Sequence, residues 1–223
     1  MSNTIRKAPA RARLIFHPDE LRYNFGAEHP LQPARIAALM DLLEQCNLWH
    51  PTNTGQGLSL RPATIEELSL AHSADYIAAV QELSRGEGQE EEPEARQRFS
   101  QLALTYGFAA GDTPVLPGMH EVTAAIAGGS LVGLSAVMGL PEGGTFATEE
   151  QRPLHVFHPG GGLHHAWVDR ASGFCVYNDS AVAIAHVLRA SEAKVLYIDF
   201  DAHHGDGVQR AFYDEPRVMT VSL

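Results

Sequence analysis

The sequence predicts an α/β protein built on parallel strands, and three observations carry that expectation. From Leu154 onward short apolar runs alternate with helical periods: strand Leu154 to Phe157, helix Asn178 to Leu188, strand Val195 to Phe200, helix near Val208 to Tyr213, strand Val218 to Leu223. The first two of those strands run into loops dense in Gly, His and Asp, at the carboxyl ends where parallel sheets bind ligands. Upstream, Val122 to Leu140 carries no charged residue. That stretch meets the length of a membrane span, but Gly128, Gly129, Gly133, Gly139, Thr123, Ser130 and Ser135 leave it weakly apolar, so it reads as a buried, closely packed helix.

The remaining elements follow in order. Leu14 to Phe16 is a short strand, and Ile36, Leu39, Met40, Leu43 and Cys46 recur at the spacing of an amphipathic helix. Thr64-Ile65-Glu66-Glu67 is a capping box that opens a short helix. Tyr76 to Leu83 keeps the helical period until Gly86, and Gly86 to Arg98 is an acidic, solvated loop or helix end at the surface. No linker divides residues 1–223, so a single domain is expected, with residues 1–13 as a flexible tail.

Sixteen Lys and Arg against 27 Asp and Glu give a net charge of -11, which repels a phosphate backbone and argues against direct nucleic-acid binding. The same charge suits a cationic substrate such as a lysine-rich peptide or a polyamine. Cys46 and Cys175 stand far apart, a usage typical of a reducing compartment, and the apolar run Leu14-Ile15-Phe16 is too short for a signal peptide. A cytoplasmic location without membrane attachment is expected.

Two loops carry the chemistry. Asp199-Phe200-Asp201-Ala202-His203-His204-Gly205-Asp206-Gly207 follows the apolar strand KVLYI, and strand alternation puts Asp199, Asp201 and His203 on one side. Carboxylates and imidazoles gathered at a strand end need a cation or hydrogen-bond partners, because unpaired buried carboxylates cost several kcal/mol. A surface turn rich in Asp, Gly and His is the bland alternative. Gly160-Gly161-Gly162-Leu163-His164-His165 follows strand LHVFH. Adjacent histidines point in different directions, so they suit two proton-transfer roles better than joint ligation of one ion.

The blocks GGGLHHA, SGFCVYND and DFDAHHGDGVQRAF resemble the signature blocks of the histone deacetylase family, and FGAEHPLQPARI and GDTPVLPGMHE resemble its bacterial acetoin-utilisation-type branch. The resemblance covers most of residues 14–223. It implies a three-layer, arginase-like α/β fold with a mainly parallel central sheet. It also implies zinc, with iron or cobalt as alternatives, held by Asp201, His203 and one further Asp. His164 and His165 would be the general base and acid, oriented by Asp199 and Asp206. Phe174 and Gly173 would line the channel for a lysine stem, Asp112 would bind the substrate backbone, and Arg35 would lie near the inner end of the site. A structural potassium ion is implied near Asp199, Asp201, His203 and Ser222.

The implied reaction is hydrolysis of an acetyl amide: acetyl-lysine in proteins, or alternatively an acetylpolyamine or another small acetylamine. An inactive fold serving as an interaction module is the non-enzymatic alternative. A binuclear manganese ureohydrolase would want a richer set of carboxylates than these loops offer. The resemblance further implies a longer domain, in which the third Asp ligand and the tyrosine that stabilises the oxyanion lie outside these residues. The 223-residue chain by itself is expected to be a weak catalyst.

Overall fold

A computed structural model describes residues 12–50, 58–86, 92–108, 112–146 and 148–223. Seven α-helices lie among them: α1 (Ala34–Gln45), α2 (Ile65–Leu68), α3 (Ala74–Arg85), α4 (Pro93–Thr105), α5 (Met119–Met138), α6 (Asp179–Ala190) and α7 (Asp206–Ala211). The strands are β1 (Ala12–Leu14), β2 (His155–Phe157), β3 (Val195–Asp199) and β4 (Val218–Ser222).

Local chemistry sets the helix ends. Thr64 and Glu67 form the reciprocal capping box over α2, with Glu67 N 3.2 Å from Thr64 Oγ1 and Thr64 N 2.8 Å from Glu67 Oε2. Ser73 caps α3 through Tyr76 N, and Gly86 ends that helix in the left-handed region at φ 69°. Asn178 caps α6 by accepting from Ala181 N at 2.9 Å.

α5 is the centre of the molecule. It packs against α6, and Ile126, Ala127 and Leu131 join Val182 and Ala183 in the main core, together with Tyr76, Tyr177 and Met119. Burying each of the larger aliphatic side chains contributes roughly 1.5–3 kcal/mol. The apolar length of α5 is thus turned inward, as its glycines suggest: it is long and apolar enough to cross a membrane, and 67% of its most apolar window is buried inside the fold. Gly133 is where β2 comes closest, since a Cβ there would stand 2.9 Å from Val156 Cγ1.

Both strand pairs are parallel. β1 pairs with β2, Leu14 opposite Phe157, and β3 pairs with β4, Asp199 opposite Ser222. The first pair lies on α5, and the second lies on α6 and α7, where Val195, Tyr197 and Val218 pack on Ile184, Leu188, Val208 and Phe212. Among the described residues the strands form two separate pairs on one helical layer, not one continuous sheet.

Two expectations need correction. Residues 1–11 of the expected tail lie outside the described residues, but Ala12 and Arg13 belong to β1, because their backbone pairs with His155 and Val156. The first strand therefore starts two residues earlier than its apolar run, of which Leu14 pairs with Phe157 and Ile15 N donates to Phe157 O at 2.8 Å. In the acidic segment, residues 87–91 lie outside the described residues, and Pro93 to Arg98 open α4 as a helix end on the surface, with proline in the first turn where it lacks no needed N–H.

Candidate active site

Five chain segments meet at one pocket: the approach to α1 and its first turn, the segment at Asp112, the loop after β2, the turn before α6 and the loop between β3 and α7. The pocket has a volume of about 350 Å³, and Arg35, Asp112, His164, His165, Asp201 and His203 all line it, with Gly173 and Phe174 on its rim.

The two adjacent histidines sit side by side, ring centres 4.0 Å apart and planes tilted by 44°. Each rests on its own carboxylate. His164 Nδ1 lies 2.6 Å from Asp199 Oδ2, and His165 Nδ1 lies 2.7 Å from Asp206 Oδ1. Burial opposes ionisation of Asp199, but the Tyr197 hydroxyl at 2.7 Å, His164 and the Asp201 N–H at 3.0 Å hold its carboxyl below the usual range. Burial likewise opposes ionisation of Asp206, and His165 with the Trp167 indole N–H at 3.1 Å outweighs it. Ionised carboxylates only accept, so Nδ1 of each ring donates, and in a neutral ring Nε2 is the atom that keeps the lone pair. The environments differ: His164 and Asp199 are buried, whereas the side chain of Asp206 is 38% exposed.

Asp199 ends β3, while Asp201 and His203 lie in the turn beyond it. Strand alternation therefore does not carry the set. Asp201 Oδ1 instead accepts from His203 N at 2.7 Å and stands 3.0 Å from His203 Nδ1, an Asx-type turn that brings the two side chains together. The first N–H is the main cause that holds the Asp201 carboxyl below its ordinary value. His164 Nε2 is 4.0 Å from Asp201 Oδ1, and the His165 and His203 ring centres are 6.0 Å apart. One carboxylate and one imidazole are donors of the kind that zinc, iron or cobalt take. Among the described residues no group of three His, Cys, Asp or Glu closes on a common point.

Glycines let these parts approach. A Cβ on Gly173, which has φ 52°, would lie 2.3 Å from His165 Cδ2. Phe174 follows at φ 70°, a strained value for a bulky residue. It is held by Thr113 Oγ1 on its N–H at 3.0 Å, by the Tyr23 hydroxyl on its carbonyl and by the His29 ring 4.5 Å away. Asp112 is exposed, and its Oδ2 accepts from Gly173 N at 3.1 Å, so it braces the rim. Arg35 is exposed in the first turn of α1. Ser222 lies opposite Asp199 across the β3–β4 ladder, and its Oγ accepts from Gly205 N at 2.9 Å.

Several contributors escape a reading of the sequence. Asp179, fully buried, accepts from Gly162 N and Leu163 N at 3.0 and 2.6 Å and so shapes the glycine loop. Asn178 donates through Nδ2 to the carbonyls of His164 and Ala166, each at 3.1 Å. Both look like ordinary helix-start residues in sequence. Tyr197 was accessible: two positions before Asp199 on a strand, it shares that residue's face.

Residues 29–223 match the histone deacetylase domain, and the chain belongs to that family. It is 43% identical over 209 residues to the acetoin utilization protein AcuC of Bacillus subtilis (strain 168), covering 94% of this chain and 48% of that protein. It is 34% identical over 214 residues to the protein of the same name from Staphylococcus aureus (strain MRSA252), covering 96% of this chain and 49% of that one. The chain thus spans about half the length of the curated relatives it matches.

Proposed function

We propose that this chain forms the amino-terminal part of a metal-dependent amidohydrolase that removes the acetyl group from acetyl-lysine in proteins. The observation that carries the reading is the pair of histidines, each with Nδ1 on its own carboxylate at 2.6 and 2.7 Å, lining one pocket with Asp201 and His203. A three-layer, arginase-like arrangement is the fold we infer for the whole domain, since both parallel pairs already rest on the same helical layer.

Asp201, His203 and one further donor would hold the metal, zinc in the first instance, and it would supply Lewis acidity to the amide carbonyl and to water. The chain's own residues then handle protons. With Nδ1 donating to a carboxylate, Nε2 of one histidine, neutral, takes a proton from water, and the other, entering as the imidazolium, gives its Nε2 proton to the leaving amine, steps each worth roughly 10²–10⁴-fold. Asp199 and Asp206 fix the ring orientation and favour the imidazolium as it forms. Phe174 flanks the apolar stem of the lysine, and Asp112 faces the substrate backbone at the rim. Oxygens of Asp199, Asp201, His203 and Ser222 are the donors we assign to a structural potassium ion. The net charge of -11 suits a basic protein substrate.

The test is acetate release by the zinc-loaded, intact protein from acetyl-lysine peptides and, in parallel, from acetylpolyamines. Preference for the peptide is the expected result. Preference for the polyamine would move the substrate class. Failure to hydrolyse any acetylamine, with zinc bound by elemental analysis, would overturn the reading.

A further inference from the structure

His72 lies in the turn between α2 and α3, far in sequence from either loop of the site, and it is 3% exposed. Its two ring nitrogens have different tasks. Nε2 is 3.0 Å from the backbone N–H of Asn178, and an amide N–H can only donate, so Nε2 must offer its lone pair. Nδ1 therefore carries the proton and donates to the carbonyl of Trp167 at 2.9 Å. The next residue adds a strut, since Ser73 N donates to Val168 O at 2.7 Å.

These bonds converge on the segment that carries the paired histidines. Trp167 is two residues beyond His165. Asn178, whose N–H is fixed by His72, sends its side-chain amide to the carbonyls of His164 and Ala166. The first turn of α7 closes on the same carbonyls: a Cβ on Gly207 would stand 2.4 Å from His164 O and 2.9 Å from Asn178 Nδ2. That turn begins with Asp206, the partner of His165. Movement at the His72–Asn178 link would therefore shift the backbone of the histidine pair against the carboxylate that orients it.

We infer that His72 is a positioning residue for the histidine pair, acting through Asn178 to set the His165–Asp206 contact. The inference rests on the proton-transfer roles proposed above. Burial agrees with the tautomer assignment: desolvation pulls the His72 pKa down to about 4, against the opposing carbonyl contacts, so the ring is neutral at physiological pH.

The test uses three variants of the intact protein. His72→Gln keeps an acceptor near the Nε2 position, His72→Asn keeps a donor near Nδ1, and His72→Phe keeps neither. A misplacement on the order of 1 Å near the reacting groups costs about 10²-fold in rate. The Phe variant should lose about 10–100-fold in kcat with KM little changed, and the Gln variant should recover most of it. The basic limb or acid limb of the pH–rate profile should move in the Phe variant. By proton NMR, the downfield Nδ1–H resonance of His165 should shift or broaden in the Phe variant and persist in the Gln variant. Wild-type kcat and unshifted resonances in a folded Phe variant would overturn the proposal, as would equal loss in all three variants in step with lowered thermal stability. If the Phe variant does not fold, the Gln and Asn variants decide by the same two readouts. If the wild type hydrolyses no acetylamine, the functional reading fails, and the resonances alone still test the positioning role.

Discussion

Acidifying the protein from pH 7 to pH 4 should destabilise it through His72, by an amount the structure sets. The folded chain holds this imidazole neutral until about pH 4, because burial penalises the charged form and Nε2 must keep its lone pair for Asn178 N. Unfolded, the ring takes a proton below its ordinary 6.5. Between those values the unfolded chain binds the extra proton, so stability falls as pH falls, and the effect saturates once both states are protonated. The loss works out to about 2 kcal/mol at pH 5 and about 3 kcal/mol at pH 4, a large share of the 5–15 kcal/mol typical of a domain. The aromatic rings of Tyr76 and Tyr177, 5.5 and 5.2 Å away, add bulk without charge at these pH values. Carboxylates such as Glu67, held at about 2 by Arg61 and Thr64 against the penalty of burial, lose their pairing only at lower pH. Urea unfolding followed by circular dichroism at pH 7, 5 and 4 isolates the His72 contribution when the wild type is compared with His72→Gln. The stability difference between them should shift by about 3 kcal/mol in favour of the variant across that range. Parallel curves would refute the argument and mean that the folded state accommodates the imidazolium.

Three further outcomes are expected. Asp201→Ala should cost the intact protein its zinc, while His165→Ala should keep zinc and lower kcat by about 10²–10⁴-fold; elemental analysis beside turnover separates the two roles. Gly173→Ala puts a methyl group 2.3 Å from His165 Cδ2 at φ 52°, so stability should fall by about 1–3 kcal/mol and turnover with it, read by thermal melting and assay. Leu196 and Met219 are paired across β3 and β4 and are 58% and 64% exposed beside Ile198, so the isolated 223-residue chain should self-associate. Leu196→Lys with Met219→Lys should lower its light scattering, and no change would show that this face is not the sticky one.

How much of this was legible beforehand depends on whether a residue declares itself locally. The α2 capping box, the apolar strand before Asp199 and the charge-free run that became α5 are written in neighbouring residues, and each appears in the fold. The start of β1 is not, because Ala12 and Arg13 are strand only through their pairing with His155 and Val156 more than 140 positions away. The acidic composition of Glu92 to Arg98 leaves loop and helix end undecided, since Glu, Arg and Gln are good helix formers as well as solvated ones, and the fold makes it the opening of α4.

The site divides along the same line. Asp and His residues massed after a strand signal chemistry in one dimension, and His164, His165, Asp199, Asp201, His203 and Asp206 do line or brace one pocket. The parts that aim them carry no such signal. Asp201 meets His203 through an Asx turn and not through strand alternation, so the two side chains come together for a different geometric reason than the sequence suggests. His72 is a lone histidine beside a helix cap, and Asn178 is a cap residue like many others. Their importance lies in donor and acceptor directions, an amide N–H forcing a lone pair onto Nε2 and a side-chain amide spanning two carbonyls. Proton transfer depends on such aiming to within tenths of an ångström. The residues proposed to perform the chemistry, and the carboxylates that orient them, are therefore those the sequence displays, whereas the His72–Asn178 link behind them is visible only in the folded chain.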